Sequence, residues 1–433
     1  MPVSPINSNF IKKAMDKRSF LKSAGLIGLG SLIDPGRLAR LIESVAEIPS
    51  AQLAEDEDFW KQIRAGYLLN PDYINLENGY YCFLPLQTLE SFIKHVREIN
   101  YQGSYYMRTV QFENKKAMAA KLAALAGCPA DELILTRNTT ESLDIIIGGF
   151  DWKQGDEAVM AEQDYPSMLN MFRQVAARYG VVNKVISVPN HPESDAEIIN
   201  LYANAITEKT RLLMICHMIN ITGQILPVRE ICDMAHSKGV PVMVDGAHAF
   251  GHFRFTIPEL NCDYYGSSLH KWLSVPLGSG ILYVKKENIR KIWPLIASGE
   301  SNPDTILRLN QIGTHPVHTD LTVPEAIDFY NMLGAERKES RLRYLQHYWT
   351  DKVRNMPHII LNTPADPKRS CAIANVGVKG ITPGELGDIL YKKYKIYCAP
   401  IDGAGVHGCR ITPNVYTSPE ELDVLVKALT ELS

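Results

Sequence analysis

Two short stretches carry residues whose types and spacing could do chemistry together. Asp245-Gly-Ala-His248 follows an apolar run, Val240-Pro-Val-Met-Val244. Ser267-Ser-Leu-His270-Lys271-Trp272 follows a second strand-like run that starts at Cys262. In an alternating α/β chain, such runs deliver their last residues to the carboxyl-end rim of one sheet, where open sheets hold ligands. A lysine amine at that rim condenses with an aldehyde as a Schiff base. A carboxylate beside it keeps a pyridine nitrogen protonated, so that the ring accepts electrons. Pyridoxal 5′-phosphate needs that pair. An Asp after an apolar strand and a solvated lysine after a loop are also ordinary features, so the two residues alone leave both readings open.

Other strand ends add to the pair. Thr136-Arg-Asn-Thr139-Thr140-Glu-Ser follows a strand and opens a helix. Hydroxyls and free amides at a helix N-terminus suit a phosphate, and they suit plain N-capping equally well. Tyr165, in Asp164-Tyr165-Pro166, could stack on a flat ring or pack in a turn. His217-Met-Ile-Asn220-Ile-Thr-Gly223 ends a further strand, and Asn220 offers a hydrogen bond. His248 could donate to a ring oxygen. Each signal is weak singly. Together, successive strand ends carry the groups that one flat, phosphorylated, pyridine-containing ligand requires. No G-x-x-x-x-G-K loop occurs, and no G-x-G-x-x-G follows the first strand, which disfavours a nicotinamide dehydrogenase.

The elements that must position these groups are legible in the hydrophobic pattern. Strands are predicted at 133–136, 158–161, 184–188, 212–216, 241–244, 264–267 and 281–284, with helical runs between most of them. That alternation predicts an α/β fold with a mainly parallel seven-stranded sheet covered on both faces. The last runs lack an intervening helix, so an antiparallel strand is expected there. Residues 86–130 read as helical, and a strand from Tyr73 runs into an Asn78-Gly79 turn. Segment 285–325 is irregular, and a long helix is expected near 324–355. Strands at 372–378, 396–399 and 409–411 with helices at 383–393 and 418–432 form a smaller α+β C-terminal domain. The expected division is 1–55 as signal and linker, 56–325 as large domain and 326–433 as small domain, with 56–75 packing near the small domain.

Composition narrows the function class. The chain has 433 residues, 45% apolar and 21% charged, and a net charge of −3. That is ordinary for a globular enzyme and gives nucleic acid no electrostatic footprint. No apolar run is long enough to span a membrane. The eight cysteines form no C-x-x-C and no zinc spacing, so no metal is expected. Lys17-Arg18-Ser19-Phe20-Leu21-Lys22 precedes a Gly-rich apolar stretch ending at Ile33. It resembles a twin-arginine export signal with Lys in place of the first Arg, which implies export to the periplasm as a folded protein. An amphipathic N-terminal helix on a cytoplasmic protein is the alternative reading.

From about 75 to 430 the chain resembles the class V aminotransferase family of fold type I pyridoxal-phosphate enzymes, and within it the isopenicillin N epimerase-like proteins. The resemblance rests on the motifs quoted above together with Gly313-Thr314 and Cys409-Arg410-Ile-Thr. It implies Lys271 as Schiff-base lysine and Cα base, and Asp245 at the pyridinium nitrogen. It implies Tyr165 over the ring, His248 at the ring hydroxyl, and Thr139, Thr140, Ser268 and His270 at the phosphate. Thr314 would reach the phosphate of a neighbouring subunit, which implies a homodimer with shared sites. Arg410 would clamp a substrate carboxylate, with Asn78 beside it. The substrate would be an amino acid or small peptide-like amine, and the reaction epimerisation or transamination, with β-elimination as the alternative and a non-catalytic pyridoxal-phosphate-fold binding protein as a further one. Cysteine desulfurases carry a nucleophilic cysteine on a loop ahead of this arginine. Here a short loop over 401–408 has none, and Cys398 and Cys409 read as structural, so sulfur transfer is not expected.

Overall fold

The computed structural model describes residues 35–432; the signal-like stretch at 17–33 lies outside them. Strand β1 (Ile74–Asn75) precedes a central sheet made of β2 (Leu133–Thr136), β3 (Glu157–Ala161), β4 (Val182–Ile186), β5 (Thr210–Cys216), β6 (Val242–Asp245), β7 (Tyr264–Ser268) and β8 (Gly280–Val284). The sheet order is β2-β8-β7-β6-β5-β3-β4. Pairings from β4 through β7 are parallel, and β8 runs antiparallel to both β7 and β2. The missing helix before β8 has this consequence: a strand that returns without a crossover must run the other way.

Helices cover both faces, so most strands of the sheet are buried along their whole length. Alternate residues then feed two cores. Leu213 and Val242 point to one face, with Leu122 and Ile231. Met214 and Met243 point to the other, with Ile146 and Phe172. Strand β4 lies at the edge with a half-exposed pattern. Its start falls two residues earlier than hydropathy suggested, because an edge strand carries little burial signal. The helical region at 86–130 is three helices, Leu86–Gln102, Ser104–Thr109 and Gln111–Ala126. Gly103, at φ +56°, breaks the first from the second.

The C-terminal part has its own sheet, β12-β13-β10-β9, from β9 (Ile359–Leu361), β10 (Ala374–Val378), β12 (Ala399–Gly403) and β13 (Val406–Ile411). Strand β11 (Ile396–Tyr397) pairs in parallel with β1. The N-terminal segment is tied to the C-terminal one at further points: Arg64 pairs with Glu421, and Arg341 pairs with Glu57. Phe59, Trp60, Leu342 and Tyr416 share one core. The stretch read as a loop over 401–408 is instead a β-hairpin. Ala404 and Gly405, at φ +52° and +72°, make its two-residue turn, the conformation that matches the twist of the flanking strands. Its tip docks on the large sheet's side, where Gln163 Nε2 donates to the Ala404 carbonyl and Asn190 Nδ2 to that of Gly405.

Candidate functional site

Asp245 closes β6, flanked in register by Cys216 on β5 and Gly266 on β7. Two turns after β7 and β6 then bring Lys271 and His248 together: Lys271 Nζ lies 3.0 Å from His248 Nε2. The other ring nitrogen of His248 faces the indole N–H of Trp272 at 3.4 Å. Nδ1 is therefore the acceptor, and the neutral ring keeps its proton on Nε2. When the Lys271 amine is uncharged, Nε2–H donates to its lone pair. Burial lowers Lys271 to about 8 from an ordinary 10.5, with Arg410 pushing the same way and Asp245 opposing. Burial holds His248 well below its usual range, and the nearby Lys271 and Arg410 add to this.

Asp245 is pushed up by burial and pulled back by the Ala247 amide, which donates to Oδ1 at 3.0 Å, and by Lys271. A cation against this carboxylate would keep it ionised. A protonated ring nitrogen is such a cation. Asp164, below the same rim, is raised by burial to about 7 and accepts from the Ala161 amide.

The phosphate end is built by β7 and the helix after β2. Asn138 caps that helix, its side chain accepting from the Glu141 amide at 2.9 Å. Both the amide and the hydroxyl of Thr139 meet Ser268 Oγ, at 2.9 and 2.7 Å. The capping reading and the anion reading thus hold on neighbouring residues. Thr140 follows, half-buried. Buried Nδ1 of His270 and buried Oδ1 of Asn220 have no partner among the described residues. Tyr165, 40% exposed, stands at the start of the helix after β3. Unpartnered polar atoms, an open aromatic face and a helix N-terminus around one amine and one acid fit pyridoxal phosphate. Lys271, Asp245, Tyr165, His248, Asn220, Thr139, Thr140, Ser268 and His270 would hold it. Among the described residues no cluster of three or more His, Cys, Asp or Glu is placed to hold a metal.

Other sequence candidates are used differently. His217 is buried edge-on against Phe253 and Phe255, and burial there drives it down to about 3, so it is a core residue. Asn78 is fully buried: Oδ1 accepts from Asn75 and from the Tyr416 hydroxyl, and Nδ2 donates to the Thr412 carbonyl. It brackets the N-terminal segment to the C-terminal sheet, and its expected place at the substrate gives way to that role. Thr314 is exposed and lines a cavity of about 930 Å³ with Phe112, Lys115, Leu135 and Leu307. Neither Lys271 nor Asp245 lines that cavity, so Thr314 does not serve this chain's own lysine from there.

Arg410 lies on β13 between Ala399 and Asn375. The fork expected to be open for a carboxylate is occupied by Glu77. Arg410 Nη2 donates to Glu77 Oε1 at 2.5 Å and Nε donates to Oε2 at 3.4 Å, while Nη1 donates to the Asn220 carbonyl at 3.2 Å.

Sequence reasoning missed Glu77, Trp272 and Lys338. Trp272 follows the lysine directly, which was the available signal; its indole stacks at 3.6 Å on His252. His252 is neutral in turn: Nε2 accepts from the Ala372 amide and Nδ1 donates to the His248 carbonyl. Lys338 is buried, donates to the Trp272 carbonyl and is lowered by burial to about 8. Nothing in its helical run distinguishes it from a surface lysine.

Comparison with known proteins agrees with this geometry. Residues 85–423 match the family described as aminotransferase class-V. The chain is 28% identical over 397 residues to an isopenicillin N epimerase of Streptomyces clavuligerus, covering 86% of this chain and 98% of the relative. It is 24% identical over 378 residues to a probable cysteine desulfurase of Halalkalibacterium halodurans, covering 80% and 89%. Its fold superposes on the apo cysteine desulfurase of Thermococcus onnurineus NA1 with a TM-score of 0.76 at 21% identity, covering 86% and 97%. A lysine and an aspartate at or just beyond adjacent strand ends, the hydroxyls gathered at a helix start and the match over most of the chain place this protein in the class-V aminotransferase family, the pyridoxal-phosphate-dependent enzymes of fold type I.

Proposed function

We propose that this enzyme acts at Cα of an amino substrate as an epimerase or aminotransferase. The observation that carries the reading is the buried Lys271 amine, lowered to about 8 and 3.0 Å from His248, with Asp245 on the next strand. When bound, pyridoxal phosphate supplies the aldehyde that Lys271 condenses with and a ring that withdraws electrons from Cα. Lys271 holds and returns the Cα proton, since its pKa near 8 suits a base at neutral pH. Asp245 keeps the ring nitrogen protonated. His248 donates through Nε2 to the ring oxygen once Lys271 has moved. Return of the proton to the opposite face of Cα inverts the centre; delivery elsewhere gives transamination.

Similarity to an isopenicillin N epimerase favours inversion. A β-eliminating lyase is the second reading, favoured by similarity to cysteine desulfurases. It excludes a cysteine sulfur carrier, because all eight cysteines are buried and the hairpin over 401–408 has none. The reading extends to a homodimer in which the exposed Thr314 reaches the partner's phosphate site, and to export of the folded protein through the twin-arginine-like segment.

The test is an absorbance spectrum of purified protein before and after borohydride, followed by peptide mass mapping. Cofactor mass fixed on Lys271 is the expected result. Incubation of the loaded enzyme with single-enantiomer amino compounds, followed by chiral and keto-product analysis, then separates the reactions. No band and no adduct after adding pyridoxal phosphate would overturn the reading.

A further inference from the structure

The Glu77–Arg410 pair bears directly on what the site accepts. Both side chains are 8% exposed, so the pair is nearly out of water. Arg410 lies flat against the backbone at Gly79, where an added Cβ would come 2.7 Å from the guanidinium carbon. Glu77 itself is held by the bridge between its strand-like segment and Thr412, and the amides of Asn78 and Gly79 donate to the Thr412 hydroxyl. Both charges are felt at Lys271, Arg410 disfavouring its protonated form and Glu77 favouring it. Arg410 Nη1 also donates to the carbonyl of Asn220, one of the residues that would hold the cofactor, so the pair borders the same site.

A guanidinium has five N–H donors. Glu77 and the Asn220 carbonyl take donors on all three nitrogens, leaving one N–H each on Nη1 and Nη2. The positive charge is already matched by a carboxylate. An incoming α-carboxylate would gain little net attraction and would lie beside the Glu77 carboxylate, a like-charge contact. A neutral carbonyl oxygen can accept from the remaining donors without that repulsion.

We infer that Glu77 sets the substrate class: the subsite beside Lys271 takes an amino compound whose neighbouring carbonyl is neutral, an amide or peptide-like group, in preference to a free α-amino acid. The inference rests on the cofactor reading above. Glu77 is a specificity-determining residue, and Arg410 is the hydrogen-bond donor it positions.

The experiment titrates the holoenzyme with L-alanine and with L-alaninamide and follows the cofactor's absorbance change to obtain a Kd for each. The two amines differ in basicity, so the change in the ratio of the two values between wild type and E77Q is the main readout. The expected wild-type ratio favours alaninamide by about tenfold or more, and E77Q moves it toward alanine by about tenfold. A wild-type preference for alanine overturns the inference without any variant, so a poorly folding E77Q does not shelter it. An unchanged ratio in a folded E77Q overturns it as well. Both failures occur with a normal absorbance band. A missing band and a missing Lys271 adduct mark the different failure of the cofactor reading, and this inference falls with it.

Discussion

Lys271 Nζ lies 3.0 Å from Nε2 of His248, and the Trp272 indole donates to Nδ1 of the same ring, which leaves the ring proton on Nε2 facing the lysine. A protonated lysine would need an acceptor where His248 presents a proton. The arrangement therefore favours the free base that carbonyl condensation requires, on top of the burial that lowers Lys271 to about 8.

Trp272→Phe should keep the stack on His252 and lose the indole donor. His248 can then shift its proton to Nδ1 and accept from a protonated lysine. The pKa of Lys271 should rise by about one unit, which is about 1.4 kcal/mol. The pH dependence of cofactor loading onto apoprotein reads this out, its midpoint moving upward. An unmoved midpoint would remove Trp272 from the device.

Lys271→Ala should abolish turnover, the cofactor band and the borohydride adduct together. Lys338, the other buried amine nearby, donates to the Trp272 carbonyl and does not replace it. Turnover near the wild-type rate would mean that the wrong lysine has been assigned.

Asp245→Asn should still bind cofactor, since the phosphate end at Thr139 and Ser268 is untouched. Turnover should fall about a hundredfold or more, because a neutral amide cannot hold the ring nitrogen's proton. Steady-state rates at full cofactor loading check this, and a loss confined to cofactor affinity would contradict it.

Lys338 has its folded pKa lowered to about 8 from 10.5. A depressed basic group is protonated in the unfolded chain and neutral in the folded one between those values, so unfolding takes up a proton there. Its penalty is present at neutral pH and is relieved as pH rises through that window. Compared with Lys338→Met, the wild-type apoprotein should therefore gain stability from pH 7.5 to 10.5, by up to about 3 kcal/mol. Urea midpoints of both proteins at the two pH values test the sign. The comparison between proteins cancels the opposing contribution of the buried Tyr and Cys residues.

Gly79→Ala would place a methyl 2.7 Å from the Arg410 guanidinium carbon. The side chain cannot move away without leaving Glu77 or the Asn220 carbonyl. A loss of about 1–3 kcal/mol is expected. Thermal melting checks the stability.

The β-strands, the antiparallel return at β8 and the Asp245–Lys271 rim were legible because local hydrophobic runs and their last residues are adjacent in sequence. The hairpin at 399–411 was not. Its first strand, Ala399–Gly403, is largely exposed, and Ala404 occupies a positive-φ position that the sequence does not advertise. Asn78 illustrates the converse. An Asn-Gly turn marked the right place, yet the partners that consume its side chain, Thr412 and Tyr416, come from the far end of the chain.

The fold class was readable from the sequence, as were the positions of Asp245 and Lys271 at and after their strand ends and the helix start at Thr139. Each of these follows from a local pattern: a buried strand, a residue at its end, a cap. The tertiary structure alone shows that Arg410 meets Glu77, that Trp272 donates to His248, and that Lys338 is buried against the Trp272 carbonyl. Those contacts join residues far apart in the chain, and hydrophobic periodicity carries no information about which distant charge or donor a side chain will meet. Protonation and specificity at this site depend on those pairings, because inside a protein a charge or proton is set by its few nearest neighbours.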